Sequence, residues 1–267
     1  MQDKECIVLV IGGSVLTDRK NAVANVNTQN INTIISEIKK AKQAKEFGLV
    51  IVTGMGSFGH PIAKKHGINE PLFEKSKMKG RKELITSLKK LNGIVITSLR
   101  ANGIKCVSCG SIPVVTDKGK VKKINSHTLR KLLAQGYVPV LHAYPAYDKS
   151  YGLNILSSDH LGPIIAKELK CKLLIGGTSV DGVFDKDPKE PDAKLINKIT
   201  PREFEQIKKA FAAPEYVDVT GGILRKVSEY MELAQSGVQS RIINLTKPNI
   251  LSQTIVGKPV GTLITRR

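Results

Sequence analysis

Four short stretches carry residue types suited to holding an anion. Gly12-Gly13-Ser14 closes an apolar run and is followed by Thr17 and the basic pair Arg19 and Lys20. Gly54-Met55-Gly56-Ser57-Phe58-Gly59-His60-Pro61 closes a second apolar run. Gly176-Gly177-Thr178-Ser179-Val180-Asp181-Gly182-Val183 closes a third, and Asp218-Val219-Thr220-Gly221-Gly222 leads through Ile223, Leu224 and Arg225 to Lys226. A turn built from glycine lets main-chain N–H groups approach phosphate oxygens, and a nearby cation neutralises them. His60 adds a side-chain donor that can stabilise charge developing on a phosphate. In the fourth stretch a Gly-Gly step opens a helix with Lys226 in its first turns, and a helix N-terminus plus a lysine is an anion site. Taken alone, Gly12-Gly13-Ser14 also reads as a plain tight turn, because it matches neither a Walker loop nor a dinucleotide fingerprint.

Ser157-Ser158-Asp159-His160 marks another helix start, with Ser157 or Ser158 as the cap and Asp159 favoured by the helix dipole. No oxyanion motif accompanies it, so a serine–histidine nucleophile is set aside. Asp159 is left with two readings: a favourable first-turn charge, or a carboxylate that orients a lysine or arginine at a reacting phosphate. His66, His127, His142 and His160 lack a comparable setting and read as structural or solvent-facing. Cys106 and Cys109 form one CxxC pair with no second pair and no histidine nearby, so the four cysteines read as ordinary buried thiols and no metal ligand set is expected.

The elements that would position these residues follow from periodicity. Cys6 to Ile11 reads as a buried strand, Ile31, Ile34, Ile35, Ile38 and Ala41 recur at helical spacing, and Leu49 to Val52 is a second strand. That is a βαβ unit, and near-continuous apolar strands are expected when helices cover both faces of a parallel sheet. A helix from about 74 to 101 carries the stripe Leu84, Leu88, Leu91, Val95 and Leu99. Asp117-Lys118-Gly119-Lys120 reads as a hairpin turn, Ser126 as the cap of a helix ending near Gln135, and Tyr137 to His142 as a strand. After a meander around Tyr151-Gly152 come a helix over 159–170 and a strand over 172–175, then helices over 201–210 and 223–236 with strands over 241–244 and 261–264. The expected fold class is α/β, with a mostly parallel central sheet and two lobes, 1–170 and 171–267, sharing one continuous fold. Glycine turns after adjacent parallel strands converge on the crevice where open α/β sheets bind ligands.

Composition narrows the field. The 42 basic and 23 acidic residues give a net charge of +19, which attracts anionic substrates and polyanions alike. Aromatics at 4% and no tryptophan leave few stacking platforms, and the lysines are spread over many helices, which argues against a nucleic-acid partner. The first apolar run is too short for a signal-peptide core or a membrane span, so a soluble cytoplasmic protein without membrane contact is expected.

The four glycine-bearing stretches, in this order and at these separations, resemble the amino acid kinase family over residues 8–264, and His60 in the GSFGHP stretch points to the branch that phosphorylates isopentenyl phosphate. The resemblance implies a three-layer αβα sandwich, a homodimer, and transfer of the γ-phosphoryl of ATP, with magnesium, to a small phosphorylated acceptor. It implies that Gly12, Gly13, Ser14, Gly54, Gly56, Ser57 and His60 hold the acceptor phosphate in the N-terminal lobe. It places Thr178, Asp181, Gly182, Val183, Gly222 and Lys226 around the nucleotide in the C-terminal lobe. His60, Asp159, Lys226 and Arg19 would act at the transferring phosphoryl, with Arg19 or Lys20 standing where the family has its second lysine, and the helix from Phe73 to Leu99 would wall the acceptor's apolar tail. The chain departs from the family pattern at several positions. Val10 stands where a lysine contacts the ATP phosphates, and Met55 replaces the middle glycine of a triplet. Ala143-Tyr144 replace Gly-Asp, Ser158 and His160 replace a glycine and the second aspartate of SGDD, and Ser179 replaces an aspartate. Three functions are therefore open: kinase acting on isopentenyl phosphate, kinase acting on another small phosphate or phosphonate, and a ligand-binding or regulatory member with impaired transfer.

Overall fold

A computed structural model describes residues 5–18, 24–68, 75–110, 112–211 and 222–267. Arg19, Lys20, Phe73 and 218–221, singled out above, lie outside the described residues. The first half runs β1 (Cys6–Ile11), α1 (Gly13–Leu16), α2 (Thr28–Ala44), β2 (Gly48–Thr53), α3 (Gly56–Lys65), α4 (Lys75–Ala101), β3 (Cys106–Gly110), β4 (Val114–Asp117), β5 (Lys120–Ile124), α5 (His127–Ala134), β6 (Val138–His142), β7 (Tyr144–Asp148) and β8 (Gly152–Leu156). The second runs α6 (Ser158–Glu168), β9 (Leu173–Thr178), β10 (Val183–Phe184), β11 (Leu195–Ile196), β12 (Lys198–Ile199), α7 (Pro201–Phe211), α8 (Ile223–Gln235), β13 (Gln239–Asn244), α9 (Ile250–Ile255) and β14 (Thr262–Ile264).

Among the described residues the main sheet has eight strands in the order β12-β14-β13-β9-β1-β2-β6-β3, parallel throughout except where β14 meets β13. Side chains alternate across a strand, so β1 feeds two cores at once. Ile7, Leu9 and Ile11 join a cluster with Ile31, Ile34, Ile35 and Ile38 of α2 and Leu251 of α9. Val8 and Val10 join Leu161 and Ile165 of α6 and Val227 and Tyr230 of α8 on the other face. This is the three-layer αβα arrangement, and it explains why each central strand is a near-continuous apolar run. Strands from both sides of residue 170 share the sheet, because β1 pairs with β2 on one side and β9 on the other.

A second sheet, β5-β4-β7-β8, follows no long apolar run. Its β4–β5 turn has positive φ at Lys118 (50°) and Gly119 (74°), as the Asp-Lys-Gly-Lys pattern predicts for a hairpin. The buried carboxylate of Asp148 accepts the N–H groups of Lys118, Gly119, Ser150 and Tyr151 at 2.9–3.1 Å, fastening the β4–β5 turn to the β7–β8 turn. Ser126 stands before α5 but does not cap it by its side chain: the hydroxyl donates to Glu168 at 3.0 Å, and Asn125 takes the His127 N–H instead.

Candidate active site

Because β1, β2 and β9 are parallel, their last residues, Ile11, Thr53 and Thr178, fall at one edge of the sheet. The turns leaving that edge press against one another. Gly12 donates its N–H to Gly177 O at 3.0 Å, and Gly54 donates to Ile11 O at 2.9 Å. A Cβ on Gly12 would sit 2.6 Å from Gly177 O, and one on Gly13 would sit 2.3 Å from Gly56 N. Any larger residue would wedge the turns apart. Buried Thr17 ties the assembly together, donating to Gly13 O at 2.9 Å while accepting the Ser57 N–H at 2.9 Å. Helix geometry leaves the first amides of α3, those of Gly56, Ser57 and Phe58, without an acceptor inside the helix. Thr17 takes one of the three. The Ser57 hydroxyl is enclosed and has no protein partner among the described residues. His60 follows one turn later on α3 with its side chain exposed. This half of the site offers main-chain amides, a helix N-terminus and a histidine.

The other half supplies cations. Ser157 caps α6, accepting the His160 N–H at 3.2 Å, which sets Asp159 in the first turn. Lys226, in the first turns of α8, donates from Nζ to Asp159 Oδ1 at 2.5 Å and is only 8% exposed. A second bridge runs beside it between His160 Nδ1 and Glu229 Oε1 at 2.7 Å. Tyr230 is fully buried beneath β9, so close that a Cβ on Gly176 would lie 2.5 Å from its hydroxyl. Burial, followed by the charges of Asp159 and Glu229, pushes the Tyr230 phenol well above its usual range. Asp181 accepts from Lys247 Nζ at 2.8 Å and from Asn244 Nδ2 at 3.0 Å, and these two partners, Lys247 foremost, hold its carboxyl below the usual range against the opposing effect of burial. The Ser14 and Ser179 hydroxyls meet at 3.5 Å between the turns after β1 and β9.

The geometry therefore brings together Gly12, Gly13, Gly54, Gly56 and Ser57, joins Ser14 to the β9 turn through Ser179, and pairs Asp159 with Lys226. Gly222 is the N-cap residue of α8, with no side-chain cap. Thr178 ends β9, where its carbonyl accepts the Leu245 N–H at 2.9 Å. The Val183 side chain is 1% exposed in the core and its N–H donates to Thr262 Oγ1 at 2.8 Å. His160, read as structural or solvent-facing, is held in the pair with Glu229. The sequence reading missed Glu229, Tyr230, Asn244 and Lys247. Glu229 and Tyr230 lie three and four residues beyond Lys226, the helical spacing that places them on its face, whereas no local pattern distinguishes Lys247 from the many surface lysines.

The Amino acid kinase family model matches residues 5–244. The chain belongs to the amino acid kinase family. Isopentenyl phosphate kinase of Methanothermobacter thermautotrophicus is 33% identical over 268 residues, covering 97% of this chain and 98% of the relative. Isopentenyl phosphate kinase of Methanocaldococcus jannaschii is 30% identical, covering 96% and 97%. A crystal structure of an isopentenyl phosphate kinase superposes with a TM-score of 0.83 at 30% identity, covering 97% of this chain and all of that one.

Several departures from the family pattern have a visible packing role. Val10 is fully buried on β1 against α6, and a Cβ on Gly162 would come within 2.4 Å of its Cγ2. A short apolar side chain and a glycine thus close the space into which a lysine at position 10 would extend. The Met55 side chain is buried with Ala63, Leu84, Leu88, Ala143 and Leu153, and it lies so close to Gly59 that a Cβ there would be 2.5 Å from Met55 Cβ. Tyr144 turns its hydroxyl inward to Ile112 O at 2.7 Å, and burial pushes its ionisation upward.

Proposed function

We propose that this amino acid kinase family member is a phosphotransferase that moves the γ-phosphoryl of ATP to isopentenyl phosphate, giving isopentenyl diphosphate and ADP. The observations that support the reading are the glycine cradle at the ends of β1, β2 and β9, followed by His60, and the Asp159–Lys226 pair on α6 and α8, the latter helix packing its Tyr230 under Gly176 of β9. An oxygen of the acceptor phosphate attacks the γ-phosphorus while the bond to the β-phosphate oxygen breaks and ADP leaves. The attacking oxygen is already anionic, so no strong base is required, and positioning with charge neutralisation suffices.

In this reading Gly12, Gly13, Ser14, Gly54, Gly56, Ser57 and His60 hold the acceptor phosphate, with residues 1–170 as the acceptor lobe. Thr178, Asp181, Gly182 and Gly222 border the nucleotide in the lobe formed by 171–267. Lys226, oriented by Asp159, faces the transferring phosphoryl, and Arg19 supplies a further cation. The apolar group around Met55, Leu84, Leu88 and Leu153 walls the acceptor's tail. No group of three or more His, Cys, Asp or Glu side chains gathers among the described residues, and the Asp159 carboxylate is engaged by Lys226. That donor set fits a magnesium ion carried in by the triphosphate and its waters rather than by a protein cage; when bound, the ion would neutralise phosphate charge. We also place the protein in the cytoplasm as a homodimer; no described helix is long and apolar enough to cross a membrane.

Steady-state ADP release with ATP, magnesium and isopentenyl phosphate, with phosphorus NMR of the product, tests the assignment. A diphosphate product is expected. Calorimetric binding of both ligands with no product would overturn it in favour of a regulatory member, a reading that the buried Val10 favours.

A further inference from the structure

At the end of the sheet opposite the crevice, β1 starts at Cys6 and Cys171 lies just before β9. The pairing of Ile7 with Leu173, together with the bond from Lys172 N–H to Cys6 O at 2.9 Å, holds the two cysteines in register. Both are free thiols, and Cys171 donates from Sγ to Cys6 Sγ at 2.7 Å. Cys6 is half-buried and Cys171 is 3% exposed, so Cys6 is the more exposed residue of the two. The hydrogen bond from Cys171 lowers the Cys6 thiol pKa, with the Arg130 guanidinium adding to the effect and burial opposing it, while the Cys171 thiol is pushed up. The CxxC pair behaves differently: Cys106 Sγ turns to Ile96 O and Cys109 Sγ to Val107 O, each at 3.8 Å.

We propose that Cys6 and Cys171 form a reversible dithiol–disulfide site, closed by a low-molecular-weight disulfide such as glutathione disulfide. The Cys6 thiolate attacks one sulfur of glutathione disulfide, that S–S bond breaks, and one glutathione leaves with the proton lost from Cys6. Cys171 then gives up its proton and attacks Cys6 Sγ, expelling the second glutathione. Two protein thiols are oxidised and one glutathione disulfide is reduced to two glutathiones. Cys6, the more exposed residue and the more acidic thiol, opens the exchange and Cys171 resolves it. The cross-link spans 165 positions of chain and joins the same two strands whose far ends meet at Gly12 and Gly177. It restricts the unfolded chain and lies about 20 Å along the strand from the crevice, so it bears on stability more than on turnover.

The test uses the whole wild-type protein. After incubation with glutathione disulfide, alkylation under denaturing conditions and tryptic digestion, peptide 5–19 should be found linked to peptide 171–172, about 2 Da lighter than the two free peptides together. Titratable thiols should fall from four to two, and dithiothreitol should restore them. The oxidised protein should melt about 5–15 °C higher, a shift that C6S and C171S each abolish. Four thiols remaining after treatment, a persistent glutathione adduct on Cys6 with Cys171 still alkylated, or linkage of Cys6 to Cys106 or Cys109 would each overturn the proposal. The peptide map needs no variant to fold.

Discussion

Replacing Lys226 with Met keeps much of the side chain's length and removes its charge, which isolates the contribution of Nζ. If that atom stabilises the transferring phosphoryl, kcat/KM should fall about 100- to 1,000-fold, or roughly 3–4 kcal/mol. The same change leaves Asp159 without its partner at 2.5 Å. Breaking a fully buried ion pair costs about 3–5 kcal/mol. The Asp159 side chain is 23% exposed, however, so water recovers part of that, leaving roughly 1–3 kcal/mol of lost stability. D159N preserves shape and removes the charge that anchors Nζ, so turnover should fall roughly 10- to 100-fold through misplacement of the lysine. Because Asp159 works through Lys226, the double variant D159N/K226M should be no slower than K226M alone, within about twofold. The measurements are ADP release under steady state and urea unfolding of all four proteins. Multiplying losses in the double variant would refute the argument, since Asp159 would then contact something else in the reaction. A K226M protein with normal kcat/KM and a lowered melting temperature would make the pair purely structural.

His60→Asn keeps a side-chain donor and His60→Ala removes it, so in the same assay alanine should lower kcat/KM about 10- to 1,000-fold and asparagine less; equal losses would deny a hydrogen-bonding role. Gly13→Ala places a Cβ 2.3 Å from Gly56 N and should weaken acceptor binding and lower the melting temperature together, whereas an unchanged KM would show that the two turns do not form one cradle. Val10→Lys forces a cation into a fully buried site against Gly162 and should cost about 2–4 kcal/mol in urea unfolding; higher turnover at unchanged stability would mean that the lysine reaches the phosphates. Burial raises the Asp148 carboxyl, but the N–H groups of Tyr151, Gly119 and Ser150 outweigh it and hold its pKa below the usual value. Its contribution is therefore complete above the unfolded pKa of about 4 and is lost as pH falls through the lower folded value. D148N should flatten the acid limb of the melting-temperature profile and cost about 2–3 kcal/mol near neutrality.

The central strands were legible in the sequence because both faces are covered. β1, β2, β6 and β9 have no solvent side to interrupt their apolar runs, and the glycines that follow them mark the turns. The same logic hid the second sheet. Val115 and Tyr147 are exposed, so β4 and β7 lack a dense apolar signature and only the turn at Lys118-Gly119 betrayed the hairpin. Ser126 looked like a cap because local spacing cannot register a competitor 42 residues away, Glu168, which takes its hydroxyl. The burial of Val183 was not legible because a motif reports residue order and not which way a side chain turns. Lys226 was recognised by its helix start, but its burial and its partner Asp159, 67 residues distant, came only with the packing of α6 against α8.

That packing also bears on the missing lysine at position 10. The resemblance places a lysine at position 10 on the strand and a second carboxylate at position 160 in the first turn of α6. This chain has Val10 and His160 at those two positions, so one positive and one negative charge are withdrawn together, and Tyr144 and Ser179 withdraw two further carboxylates of the pattern. Val10 abuts Gly162, two residues beyond His160 on the same helix, which puts both replacements at one contact between β1 and α6. His160 in turn reaches across to Glu229, so the first turn of α6 holds α8 at two adjacent points, Asp159 to Lys226 and His160 to Glu229. A helix fixed at two points is less free to rotate than one fixed at a single point, and Lys226 rides on it. The cation that a strand would have presented at the phosphates is then left to a helix that Asp159 and His160 both hold.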